Sequence, residues 1–228
     1  MTEQENKLRE RRGIYLLPNL LTTAGLFAGF YAIVASMNGE FGSAAVAVFV
    51  AMVLDGLDGR VARMTNTQSA FGSEYDSLAD VISFGLAPAL VIYQWSLIHL
   101  GETGWLQSKL GWLAAFMFVA AAALRLARFN VEIGKTDRRF FHGLASPASA
   151  AVLMGFVWAG ADLGITGASV AGWAFVLTVV TALLMISTVP YYSFKDIDLK
   201  KSVPFLTIFL IVMEIGRASC RERVYCEV

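Results

Sequence analysis

The chain predicts an all-α integral membrane fold, and three observations carry that prediction. Apolar residues make up 57% of its 228 positions and charged residues only 16%, a balance foreign to ordinary water-soluble domains. Six apolar stretches of about 20 residues follow one another, each long enough to cross a hydrocarbon core of roughly 30 Å. Basic residues gather in alternate connections, which orients a multi-span protein. Net charge is zero, so bulk charge implies no nucleic-acid partner.

Taken in order, residues 1–13 hold Lys7, Arg9, Arg11 and Arg12. They lack the apolar run of a signal peptide and read as a cytoplasmic juxtamembrane segment, suited to an amphipathic helix on anionic lipid. A six-helix membrane domain follows over 14–190, with spans near 14–37, 43–62, 74–99, 109–130, 144–162 and 169–190. The first span opens on Pro18, near a helix start, with Asn19, Thr22 and Thr23 behind it. In lipid these polar side chains need a neighbouring helix, a ligand or, for each Thr, the backbone of their own helix. In the third span Pro88 removes the hydrogen bond to the Phe84 carbonyl, so a kink is expected there. His99 falls at the far end as an interfacial residue.

The fourth span ends in Arg125 and Arg128, three apart on one face. They act either as anchors that snorkel to headgroups or as an anion clamp. His142, beside Phe140 and Phe141, reads as structural, and Pro147-Ala-Ser149-Ala suits a helix contact between small residues. Lys and Arg collect in the N-terminal segment, at Arg60 and Arg63, at Arg125, Arg128, Lys135, Arg138 and Arg139, and at Lys195, Lys200 and Lys201. The opposite loops offer only Lys109. This asymmetry places the N-terminus on the cytoplasmic side.

Residues 191–213 read as a cytoplasmic loop and a partial seventh span, because the apolar run at 203–213 is too short to cross. From 214 to 228 the composition changes. The run from Glu214 to Val224 resembles the conceptual translation of a sequencing adapter, so this tail is read as non-native. Cys220 and Cys226, the two cysteines of the chain, both lie in it and carry no inference about metals or disulfides.

Chemistry concentrates between Asp55 and Asp80. Asp55 and Asp58 are three apart, Asp76 and Asp80 four apart, so on helices each pair projects from one face. Two such faces on neighbouring helices can converge. Any one of these acids alone is explained by a neighbouring Arg. Four together repel one another and are costly to desolvate without a cation among them. All-oxygen ligation suits Mg²⁺ or Mn²⁺, and two such ions roughly 3.5–4 Å apart would clamp a phosphoryl displacement. Gly56, Gly59 and Gly72 leave the backbone open to a pyrophosphate. Arg63 offers a two-pronged donor for it.

Asp55-x-x-Asp58-Gly59-x-x-Ala62-Arg63, eight residues, then Gly72-x-x-x-Asp76-x-x-x-Asp80 resembles the signature of the CDP-alcohol phosphotransferases, with every fixed position filled. The resemblance implies a six-helix, metal-dependent membrane enzyme that displaces CMP from a CDP-linked substrate with a second alcohol. It further implies that Asp55 and Asp76 bridge two divalent cations, that Asp58 completes one site and Asp80 the other, and that Asp80 serves as base. By the same resemblance Asn19, Thr22, Gly59, Arg63, Ser69 and Gly72 contact the CDP-lipid, and the enzyme is a homodimer.

The run Arg125-Leu-Ala-Arg128-Phe-Asn130 and the segment Phe141-His-Gly-Leu-Ala-Ser-Pro147-Ala-Ser149-Ala resemble the phosphatidylserine synthase branch of that family. This implies CDP-diacylglycerol and L-serine as substrates, a bacterial inner membrane, and Arg125 and Arg128 as a clamp for phosphate or acceptor. The basic cluster from Arg125 to Arg139 leaves glycerol 3-phosphate and inositol phosphate open as acceptors. A cation transporter is the reading from another class, but its acids would be distributed along a pathway. Here they are grouped.

Overall fold

The computed structural model describes residues 3–65, 69–103, 105–132, 140–187 and 190–192. Its α-helices are α1 (Glu3–Met37), α2 (Phe41–Met64), α3 (Ala70–Asp80), α4 (Ala87–Trp95), α5 (Trp105–Glu132), α6 (Ser146–Asp162) and α7 (Ala171–Ile186). A π-helical turn, Val81–Leu86, runs between α3 and α4, and short 3-10 turns occupy Leu97–Thr103 and Gly167–Val170. Two three-residue strands, Phe140–His142 and Pro190–Tyr192, are the only extended elements among the described residues. The expected partial seventh span at 203–213, the adapter-like tail at 214–228, and Lys135, Arg138, Arg139, Lys195, Lys200 and Lys201 lie outside the described residues.

Among the described residues, five segments are long and apolar enough to cross a membrane: Asn19–Met37, Phe41–Met64, Ala70–Trp95, Lys109–Val131 and Gly167–Ile186. Phe27, Phe30, Trp112, Phe116 and Trp173 are exposed along them. Such a coat is a liability in water and the natural outer face in lipid. The chain is thus built as a helical integral membrane protein.

Packing inside the bundle relies on small side chains. Ala28, Ala32 and Ala35 of α1 are buried with Ala44, Ala45, Val48 and Ala51 of α2, and these two helices pack together. Alanine at such positions lets two backbones approach closely, which matters where lipid removes most of the hydrophobic drive between helices. Larger side chains, among them Phe84, Ile92, Phe118, Leu153 and Met154, fill the core behind them.

The π-helical turn is seated against α1. Ser83 donates from Oγ to the carbonyl of Gly25 at 3.3 Å. A Cβ on Gly29 would lie 2.7 Å from Ser83 Oγ and 2.9 Å from Ser83 Cα. Gly25 and Gly29, four apart, thus form a small-residue groove that accepts Ser83. On the other side, a Cβ on Gly85 would come within 3.1 Å of Ala122 on α5.

Two boundaries differ from the sequence reading. The helix containing the first span begins at Glu3, well before Pro18, so the backbone of residues 3–13 continues the same rod. Proline within a helix forfeits one backbone hydrogen bond. The expected irregularity at Pro88 falls just before it, in Val81–Leu86, while Pro88 itself lies in the first turn of α4. The helix is continuous there, and the wider π turn accommodates the carbonyls preceding the ring.

Gly29→Ala is expected to lower the melting temperature of the purified protein, since overpacking costs about 1–3 kcal/mol. Gly155→Ala is the control, because a Cβ there meets nothing within 4 Å. Thermal unfolding in detergent should separate the two. Equal melting temperatures would show that the Gly29–Ser83 contact relaxes freely.

Candidate active site

The two halves of the acidic stretch fold as the ends of two neighbouring rods. The last turns of α2 carry Asp55, Asp58, Gly59 and Arg63. Ser69 then begins α3: its backbone is extended (φ −126°, ψ 152°), and its Oγ accepts the Gly72 N–H at 2.9 Å. This is a side-chain N-cap, which satisfies a donor that the helix leaves free. Ser69 therefore fixes where α3 starts, and so the height at which Asp76 and Asp80 project.

Asp55, Asp76 and Asp80 converge: each offers an oxygen within 4.8 Å of the others. All three are half-buried. Asp58 stands beside this group and is more deeply enclosed, only 5% exposed. Its Oδ2 accepts a hydrogen bond from Thr22 Oγ1 at 2.7 Å. Thr22 thus bonds across to α2, an arrangement that nothing in the spacing of α1 alone reveals.

The donor set fits a hard divalent cation. Three carboxylates meet at close range in an apolar bundle with no His or Cys in the group, and like charges so placed demand a positive partner. Oxygen-only ligands suit Mg²⁺ or Mn²⁺.

Around the acids, the remaining predicted residues fall into two sets. Asn19, Ser69 and Gly72 come together: a Cβ on Gly72 would sit 3.1 Å from Ser69 Oγ and 3.4 Å from Asn19 Oδ1. Gly59, like Gly56, faces open space, where an added Cβ meets nothing within 4 Å. A ligand can therefore approach the α2 backbone beside Asp55 and Asp58. Arg63 is exposed in the last turn of α2.

Arg125, on α5, turns inward. Its Nη1 donates to Ser146 Oγ at 3.0 Å, its Nε is buried without a hydrogen-bond partner, and it interacts electrostatically with Asp80. Ser146 and Ser149 open α6 on one face and are fully buried, and Ser149 Oγ also lacks a partner. Arg128 is half-buried and engaged in interactions of its own.

Two further ties escaped the sequence reading. Thr23 Oγ1 lies 2.9 Å from Tyr75 Oη, and Asn130 Nδ2 donates to Ser77 Oγ at 3.1 Å. Tyr75 and Ser77 flank Asp76. The only signal available for them in the sequence is that adjacency.

The profile of the CDP-alcohol phosphatidyltransferase family matches residues 15–184. A Helicobacter pylori (strain 26695) protein named CDP-diacylglycerol–serine O-phosphatidyltransferase is 35% identical over 200 residues, which is 88% of this chain and 79% of that one. A Mycobacterium leprae protein of the same name is 32% identical over 221 residues, 92% of this chain and 69% of its own. An archaetidylserine synthase from Methanothermobacter thermautotrophicus is 34% identical over 177 residues, 77% and 69% of the two chains. The match covers all four aspartates, the cap at Ser69 and the inward-turned Arg125, and the chain belongs to the CDP-alcohol phosphatidyltransferase family.

Proposed function

We propose that this chain transfers the phosphatidyl group of CDP-diacylglycerol to the hydroxyl of L-serine, releasing CMP, in phospholipid biosynthesis. One observation carries the reading above the others. The carboxylates of Asp55, Asp76 and Asp80 meet within a family motif, in a chain whose relatives are named for this reaction.

In the reaction the serine oxygen forms a bond to the phosphorus that bears diacylglycerol. The bond from that phosphorus to the CMP oxygen breaks, and its electron pair leaves with CMP. Asp80 takes the hydroxyl proton; it converges with Asp55 and Asp76 and interacts with Arg125, the residue proposed for the acceptor. Two divalent cations, Mg²⁺ or Mn²⁺, would be held by Asp55, Asp76 and Asp80 with Asp58 alongside; when bound they supply neutralisation of charge for phosphoryl transfer.

The chain's other residues bind and orient. Arg63 pairs with the pyrophosphate, which approaches the backbone at Gly59. Asn19, Ser69 and Gly72 line the nucleotide end. Arg125, backed by Ser146, presents its guanidinium to the acceptor's carboxylate, with Arg128 nearby. The acyl chains remain among the apolar helix faces.

The proposed setting is a bacterial inner membrane with the acids on the cytoplasmic side, supported by the basic residues Arg60, Arg63, Arg125 and Arg128 at the same ends of their helices. There α6, 17 residues long and thus about 25 Å, completes six crossings, with a further span begun at 203–213. A homodimer is proposed on family resemblance.

Purified protein supplied with CDP-diacylglycerol and Mn²⁺ or Mg²⁺ should release CMP when serine is added, and chelation should stop it. Release with glycerol 3-phosphate or inositol phosphate, and not with serine, would transfer the reaction to a phosphorylated acceptor. Asp55→Asn should lower kcat by at least about 100-fold, the scale of losing a major electrostatic contact to the transition state. Near-normal turnover of that variant at saturating metal would remove Asp55 from the site.

A further inference from the structure

Thr22 and Thr23 are adjacent on α1, and adjacent helical residues point about 100° apart. One therefore faces α2 and the other α3, the two helices that carry the acids. Thr22 spends its hydroxyl proton on Asp58 of α2, at 2.7 Å. Thr23 spends its own on the carbonyl of Asn19, also at 2.7 Å. That leaves Thr23 Oγ1 as acceptor in its 2.9 Å contact with Tyr75, so the Tyr75 O–H is the donor.

Tyr75 precedes Asp76, and Ser77, which follows it, is tied to α5 through Asn130. The segment bearing Asp76 is thus bonded on both sides, to α1 and to α5. Asp80, one helical turn further along α3, moves with it. Beyond Asp80 the regular helix gives way to the π-helical turn, which Ser83 ties to α1, so the acids are presented between ties on either side.

We propose that the Thr22–Thr23 pair is a positioning device for the cation site: Thr22 orients Asp58, and Thr23, through Tyr75, sets Asp76 and Asp80 opposite Asp55. In this proposal Thr23 and Tyr75 do not themselves hold the cation or the substrate. They hold the residues that do, much as outer partners orient metal ligands elsewhere, where their loss costs about 10–100-fold in affinity. The inference rests on the metal-dependent reading given above.

Mn²⁺ binding to the purified full chain, measured by electron paramagnetic resonance without lipid substrate, tests it apart from turnover. Thr23→Val and Tyr75→Phe should each weaken Mn²⁺ binding about tenfold. The double variant should be no weaker than either single one, because both remove the same bond. Thr23→Ser, which keeps the hydroxyl, should bind as the unsubstituted protein does. Unchanged affinity in Thr23→Val and Tyr75→Phe, or losses that multiply in the double variant, would overturn the proposal. So would equal weakening in Thr23→Ser, which marks a packing defect. If the unsubstituted protein itself binds no Mn²⁺, the metal reading fails and the positioning role fails with it.

Discussion

Like charges gathered within an apolar bundle are the constraint on which the rest of the structure depends. Asp55, Asp76 and Asp80 meet at close range, with Asp58 enclosed next to them. Each carboxylate taken from water costs several kcal/mol unless paired, and mutual repulsion adds to that cost. Arg125 interacts with one of the acids, Asp80. The arrangement is coherent once divalent cations complete it, and the same cations are what phosphoryl transfer requires.

Holding such a cluster together demands rigidity on every side, and the surrounding contacts provide it. Ala28, Ala32 and Ala35 draw α1 onto α2. The Gly25–Gly29 groove seats Ser83 immediately beyond Asp80, and Gly85 lets α5 approach the same turn. Where α1 nears the acids, alanines and glycines give way to Asn19, Thr22 and Thr23. Within the apolar span Asn19–Met37, Asn19, Thr22 and Thr23 thus gather at the end that borders the site. Glycine serves here in two ways: Gly29 and Gly85 admit a neighbouring segment, while Gly56 and Gly59 leave space for a ligand.

Much of this was legible in the chain. Lipid permits a crossing segment only if its backbone is satisfied internally, so apolar runs translate directly into helices, and α2, α5 and α7 lie within a few residues of the expected spans. The acids were legible because helical periodicity alone aligns Asp55 with Asp58 and Asp76 with Asp80. Ser69 and Gly72, predicted as ligand contacts, are seen to cap α3. What stayed hidden depends on pairs distant in sequence. Thr22 meets Asp58 across 36 positions and Thr23, which also bonds back to Asn19 of its own helix, meets Tyr75 across 52; no local pattern chooses these distant partners. The inward turn of Arg125 was equally open, since a snorkelling arginine and a buried one have the same sequence. Pro88 signalled an irregularity, but its exact seat was set by Ser83 finding the Gly25–Gly29 groove. The Gly25–Gly29 groove was not among the features read from the sequence.

The central claim is that the carboxylates form one cation-binding centre. Anomalous X-ray scattering from crystals of the full chain grown with Mn²⁺ tests it most directly. The account predicts anomalous density for two ions among the carboxylate oxygens of Asp55, Asp58, Asp76 and Asp80. Mn²⁺ bound elsewhere, or no peak among these residues at Mn²⁺ concentrations that sustain turnover, would contradict it.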